Sequence, residues 1–546
     1  MKRFLFYCVL ALTLSQENKA YGSAQLPYDT CIDVLSYHLE LNLVNSFKSK
    51  INRAFEGSQR ISLVIKHLPN DGRIWMNASE KSIKIDKVTG PIKLGERVGD
   101  KIWFQLPESI SSGDTISFDI DYQHTGVKDE GLFVATGSVF TNNAPIEARD
   151  WFICKDHPID KALFSVTVIV PEKVTVGAVG LLENVTDSAT VKKWYWKSRY
   201  PMATYLMVFS ASTDYKVDKF SVTSKVSGLE IPVELYWRKG EDKSSIDYIK
   251  KAMPYLLDFF EERFGKYPFE KIGFATLTSD FPYGGMENQS FITLCANCWD
   301  ELLVVHEFSH QWFGDLISPK SWKDLWLNEG FAEYMEAYWI ETWTPKEKNQ
   351  YQIVMEDFAN YYFMVSPKEA ISEESWEYNT PPGEILYNSA LVYKKAACVV
   401  HMLRQELGDE VFFKLLSSFM NNPEFMYSNA STEDFMRITN EVSGKNFDWF
   451  FDQWLKYPGH PIYSNKTRLF TEGNVNYLEF TFIQKEWERI YYKSNFEIMV
   501  KYEDGSHDIF RGFNSRNGEV FKFALKSDVK SVVFDPQNKI ILKKGE

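Results

Sequence analysis

The stretch Val304–Tyr334, VVHEFSHQWFGDLISPKSWKDLWLNEGFAEY, holds the chemistry around which the rest of the chain is arranged. Its first half contains His306, Glu307 and His310 in the pattern H-E-x-x-H. On a helix, residues four apart lie one above the other, so both imidazoles face the same way. Two such rings can each give one nitrogen to a tetrahedral metal, with Glu307 leaning toward the open coordination position. A catalytic zinc takes a third protein ligand and keeps a fourth site for water. Glu329, in NEGFAEY, is the candidate for that ligand, and Glu333, one turn later on the same face, competes with it. The ion would act as a Lewis acid on the water, and Glu307 would take its proton as general base.

The local pattern predicts two helices. Asp300 is the expected N-cap of the first, with Leu302, Val305, Phe308 and Trp312 as its apolar stripe and Gly314 as its stop. The second starts near Asn328 and runs through Phe331, Met335 and Trp339, and the Ile317–Lys323 loop would return Glu329 to the histidines. The bare five-residue pattern also arises by chance on amphipathic helices. A further carboxylate in N-E-x-x-x-E, on a second amphipathic helix, sets this occurrence apart.

These residues resemble those of the gluzincin metallopeptidases, in which a Glu on the next helix completes the zinc site after eighteen intervening residues. Upstream, Phe281-Pro-Tyr-Gly-Gly-Met-Glu-Asn288 is similar to the G-x-M-E-N signature of the aminopeptidase N and leukotriene hydrolase family. The resemblance runs from about Tyr37 to the C-terminus. It implies a zinc aminopeptidase with one Zn2+ per chain, held by His306, His310 and Glu329, with Glu307 activating water. It further implies that Glu287 pairs with the free α-ammonium of a peptide substrate and so restricts cleavage to the first bond. Gly284, Gly285, Met286 and Asn288 would shape the substrate site beside it, the glycines letting a peptide backbone approach closely.

Two more segments carry the resemblance, each with a departure. Leu391-Val-Tyr-Lys-Lys-Ala396 is similar to the family's Y-x-K-G segment, with Ala396 in place of Gly. By that likeness Tyr393 donates a hydrogen bond to the oxyanion formed when water attacks the carbonyl. By sequence alone it is a helix-face aromatic, one of 29 tyrosines. Ala148–Lys161 resembles A-R-x-x-F-P-C-x-D-x-P, with Ile153 in place of Pro and with His157 as a loop or core residue. The family's second amine-binding Glu or Gln falls on Ala144, leaving nearby Glu147 as a weak substitute.

The 546 residues exceed a single core, and two to four domains are expected. A net charge of -13 argues against non-specific binding of nucleic acid. The opening MKRFLFYCVLALTL fits a secretory signal peptide, residues 1–22, too short for an ordinary membrane span. The mature protein is therefore expected to be exported, periplasmic or secreted, without an integral span. Cys295 and Cys298 form a C-x-x-C without the second pair that zinc binding needs; two unpaired buried thiols are expected, with a local disulfide as the alternative in an oxidising compartment.

The expected fold is multidomain α+β. Alternating runs such as YHLELNLV, RISLVIKHL and LFSVTVIV predict an N-terminal β-rich domain at residues 23–213. The period turns helical at Ser244, giving a mainly α catalytic domain at 214–459 in which KIGFATLTSDF is a strand leading to Gly284. YLEFTFIQ, EIMVKYED, HDIFRGF and VFKFAL predict a small C-terminal β-sandwich at 460–546. The resemblance implies a saddle-like first domain, a thermolysin-like second and an immunoglobulin-like third. Many relatives continue into a helical domain that this sequence lacks, so an open cleft is expected. The oligomeric state is not legible.

Overall fold

The computed structural model describes residues 26–48, 51–343, 350–485 and 490–545. The expected signal peptide, residues 1–22, lies outside them. The strongly alternating N-terminal runs form an eight-stranded sheet at whose centre Ile32–Asn42 pairs antiparallel with Phe55–Ile65 and parallel with Lys161–Pro171. One face of Ile32–Asn42 is buried residue by alternate residue, as a period of two requires. A four-stranded sheet, including Phe209–Ser212 and Ser138–Thr141, and a three-stranded sheet, Arg73–Asn77 to Lys93–Val98, share its core.

A second core begins with the strands Tyr215–Thr223 and Glu230–Arg238. They lead to α1, Lys243–Phe264, whose N-cap Asp242 accepts from Ser244 N–H. The expected strand near Gly273 is Ile272–Thr276; it pairs in parallel with Ile292–Leu294. The outermost strand of this five-stranded sheet is Gly285–Met286, antiparallel to Ile292–Leu294, so one backbone edge stays unpaired beside the H-E-x-x-H helix. That helix, α2, spans Glu301–Ser309, and α3 spans Trp326–Trp343. Helical segments continue to Asp448–Leu455. Two three-stranded sheets then form the sandwich, with Leu478, Phe480, Ile498 and Val500 between them. No helix among the described residues is long and apolar enough to cross a membrane.

Four local expectations are corrected. α2 stops at Ser309 rather than Gly314, because Ser309 Oγ donates to the His306 carbonyl (2.7 Å) and competes with the next helical bond. The Ile317–Lys323 connection is not a plain loop. Ile317–Pro319 pairs with Ser428–Ala430, and Ser321 and Asp324 form a capping box on the turn that precedes α3. α3 starts two residues earlier than Asn328. Cys295 and Cys298 are not free thiols but a disulfide, closed by a turn in which Cys298 N–H donates to Cys295 O (3.1 Å).

Candidate active site

Asp300 caps α2 as expected, accepting from Leu302 and Leu303 N–H at 3.0 and 3.2 Å. His310 is the C-cap residue and keeps right-handed helical dihedrals, so the two imidazoles still lie together, edge to face at 75° with centroids 4.9 Å apart. Each ring is oriented through Nδ1. His306 Nδ1 bonds Glu336 Oε1 at 2.9 Å, and His310 Nδ1 bonds Phe313 O at 2.9 Å. With Nδ1–H donating, both Nε2 lone pairs converge on one point.

Glu329 supplies the third corner around that point. Its Oε2 lies 3.4 Å from each Nε2. Ligands about 2.05 Å from a tetrahedral zinc are about 3.3 Å from one another, so the triangle has the size the ion needs. His306, His310 and Glu329 are all buried, and their donor atoms lie within 4.8 Å of one another. Glu333, the competing carboxylate, instead forms an ion pair with Lys394 and lies with Glu336 on the Nδ1 side of His306, where the three also come within 4.8 Å of one another.

The charges of the three groups reinforce each other without a metal. Burial lowers both histidines, but Glu329 and Glu336 outweigh it at His306, which stays well above its usual range. At His310 burial is outweighed by Glu287 and Glu329, giving about 9. Burial raises Glu329, yet the two rings bring it down to about 2. Glu307, 4 % exposed, is raised to about 8 mainly by burial.

The edge strand brings Gly285 against Glu307 so closely that a methyl at Gly285 would overlap the carboxylate. Glu287 follows, 4 % exposed, with Oε1 accepting from Asn328 Nδ2 at 2.9 Å. Carboxylate oxygens of Glu287 and Glu307 and a nitrogen of His310 also lie within 4.8 Å of one another. Burial raises Glu287, with Glu329 adding to it and His310 opposing. Tyr393 lies in a π-helical segment, Ser389–Lys395, and its ring stacks 6.1 Å from His306 at 17°. Burial, followed by the charge of Glu329, keeps its phenol protonated and able to donate. Ala396, where Gly was expected, fits because Gly330 on α3 leaves room for its methyl.

A cavity of about 280 Å³ joins these groups, lined by Gly284, Gly285, Met286, Glu287 and Tyr393 as well as the zinc-site residues. Asn288 does not line it. It sits two residues past the edge strand, 1 % exposed, where it accepts from Thr293 Oγ1 (2.8 Å) and donates to Leu206 O (3.4 Å). A larger cavity, about 550 Å³, opens around Trp449, Arg511 and Lys539 beside the sandwich and contains none of the candidate ligands.

Sequence reasoning missed Glu336, Asn328, Tyr283 and Tyr387. Glu336 was within reach, because Glu329, Glu333 and Glu336 follow helical spacing on α3. Asn328 was not: it joins His310 (3.3 Å) to Glu287 only because Gly314, at φ +132°, leaves space for its amide. His157 is a core residue, 2 % exposed and held near 3 by burial. Ile153 stands where Pro was expected because its N–H donates to Gln59 Oε1 (3.0 Å), a bond Pro cannot make.

Comparison with known proteins agrees with this geometry. Residues 33–206 match the Peptidase M1 N-terminal domain, and residues 248–454 match the Peptidase family M1 domain. The chain is 26% identical over 536 residues to "Aminopeptidase 2, mitochondrial" of Saccharomyces cerevisiae, covering 92% of this chain and 53% of that protein. It is 28% identical over 340 residues to aminopeptidase N of Lactococcus lactis subsp. lactis, covering 58% of this chain and 38% of the other. The chain thus spans about half the length, or less, of these curated relatives. An M1 zinc metallopeptidase mutant from Deinococcus radiodurans, bound to a Tyr-Ser-Ala substrate, shares the fold with a TM-score of 0.67 and 21% identity. That match covers 78% of this chain and 94% of the other. The family and these neighbours imply a single catalytic zinc, which the His306, His310 and Glu329 triangle fits. Matched over both its β-rich and its metal-site regions, this chain belongs to the M1 peptidase family.

Proposed function

We propose that the protein is a zinc aminopeptidase that hydrolyses the first peptide bond of substrates with a free N-terminus. The observation that carries this reading is the buried Glu287 carboxylate, set at the end of an unpaired edge strand and beside Glu307. A substrate backbone adding to the Gly285–Met286 edge would run antiparallel or parallel to it and deliver its α-ammonium to Glu287. A charge-assisted contact in so dry a site is strong, and it has no use in mid-chain cleavage.

Zinc, when bound, supplies Lewis acidity that polarises the scissile carbonyl and acidifies water. Glu307 removes the proton from the attacking water and passes it to the leaving amine. Tyr393 donates to the oxygen on which negative charge develops. Glu336 and the Phe313 carbonyl fix the two imidazole tautomers throughout.

Export belongs to the same proposal. The apolar N-terminal run and the Cys295–Cys298 bridge both fit an oxidising compartment, and cell fractionation would test it. The activity is tested with one peptide offered free at its amine and N-acetylated, read by mass spectrometry. Stepwise loss of residues from the free form alone is expected. Internal cuts in both forms would remove the role of Glu287.

A further inference from the structure

A second chamber of about 330 Å³ adjoins the catalytic cavity, and Ala144 and Tyr283 line both. Its far walls are apolar and stiff, made by Ile146, Pro282, Pro381 and Pro382. Its polar lining is made by the carboxylates of Glu130 and Glu147, the Asn142 amide and the hydroxyls of Tyr283 and Thr380, so its only ionisable carboxyls are those two glutamates. Asn142 is 4 % exposed, and its side-chain oxygen has no hydrogen-bond partner. Buried amide oxygens are rarely left so. No Lys, Arg or His is among the described residues that line the chamber. Arg149, the cation that acts on Glu147, is committed to Asp156 at 2.9 Å.

Resting on the aminopeptidase reading, we propose that this chamber receives the side chain of the substrate's first residue and selects lysine or arginine. An aliphatic stem would lie along the proline and isoleucine walls while the cationic head meets Glu147, Glu130 and the Asn142 oxygen. The entrance depends on Ala144. A Glu or Gln there would stand in the passage that the two cavities share, whereas a methyl leaves it open. Tyr283, 6.3 Å from Tyr387 between ring centroids, forms the other jamb. Glu147 Oε2 accepts from its neighbour Ile146 N–H (2.9 Å), and burial raises the carboxyl to about 7. A cation beside it would favour the carboxylate form.

The test compares fluorogenic amides of arginine, lysine and norleucine, the last matching the stem without the charge, on the zinc-loaded full chain. One charge-assisted hydrogen bond predicts a kcat/KM ratio of arginine over norleucine of roughly 10 to 100. The double variant Glu130→Gln, Glu147→Gln should bring that ratio to about 1–2. Because both amides are read on one preparation, loss of folded protein cancels from the ratio. A ratio near 1 in the native chain, or one that survives the double variant, overturns the chamber assignment. Calorimetry with free L-lysine and L-norleucine separates the two failures. Tighter L-lysine without turnover of any amide keeps the chamber and overturns the peptidase reading; equal binding of the two overturns the chamber.

Discussion

Replacing Gly285 by Ala isolates the position of the general base. The backbone there is ordinary edge strand, so Ala brings no conformational strain of its own. Its methyl carbon, however, would fall 2.6 Å from Glu307 Cγ and closer still to the carboxylate. Carbon atoms rest at about 3.5 Å, so the Glu307 side chain must retreat by roughly 1 Å. It has little room to do so, being 4 % exposed. A catalytic group misplaced by about 1 Å costs on the order of 100-fold in rate, or about 2.7 kcal/mol of transition-state stabilisation. Gly284 supplies the comparison, because a methyl there meets only Leu303 Cδ1, at an ordinary 3.5 Å. The assay is kcat/KM on one N-terminal amide for both variants, with zinc content measured alongside. Gly285→Ala should lose about two orders of magnitude with zinc retained, and Gly284→Ala far less. Equal losses in the two, or more than a third of native activity in Gly285→Ala, would refute the claim that Gly285 exists to admit Glu307.

Glu336→Gln keeps the shape of the group behind His306 but removes its charge, and zinc affinity should fall about 10- to 100-fold, measured by competition with a chelator. His401 predicts an acid limit on stability. It is 2 % exposed, and burial, then the charge of Arg404, lowers it from 6.5 to about 3. The unfolded chain takes up a proton below 6.5 that the folded chain refuses until about 3, so stability is lost as pH falls through that window, by up to about 5 kcal/mol. His401→Asn, which keeps an acceptor for Tyr351 OH, should flatten this part of the profile in denaturant titrations; an unchanged difference between pH 7 and pH 4 would count against it. Ile153→Pro, though it restores the residue seen in the family segment, should destabilise the N-terminal domain by about 1–3 kcal/mol, because Gln59 Oε1 loses its buried donor. A thermal melt at or above the native midpoint would show that bond to be dispensable.

The parts of the site that were legible before any coordinates are those built from near neighbours in sequence. His306, Glu307 and His310 needed only helical periodicity, and Asp300 needed only its place before an apolar stripe. The alternating N-terminal runs likewise announced strands, since burial of one face imposes a period of two. Glu329 was a candidate from its own helix, with Glu333 as rival; the choice between them, Tyr393 and the amine role of Glu287 came from resemblance, and the structure brings Glu287, Tyr393 and Glu329 to one cavity.

What the sequence left open was set by groups that meet only after folding. Glu329, Glu333 and Glu336 share a face of α3, and nothing local tells them apart. Lys394 claims Glu333 and His306 Nδ1 claims Glu336, which leaves Glu329 as the carboxylate beside the two Nε2 atoms. The C-x-x-C spacing is compatible with free thiols or with a bridge, and the turn at Cys295–Cys298 closes it. Asn288 belongs to the signature segment, yet the chain turns it away from the cavity toward Leu206. The chamber behind Ala144 draws its walls from residues 130–147, 282–283 and 380–383, so no window of sequence contains it. Periodicity fixes which way a side chain points from its own element; which distant partner it then meets is decided by packing between elements, and that is written only in three dimensions.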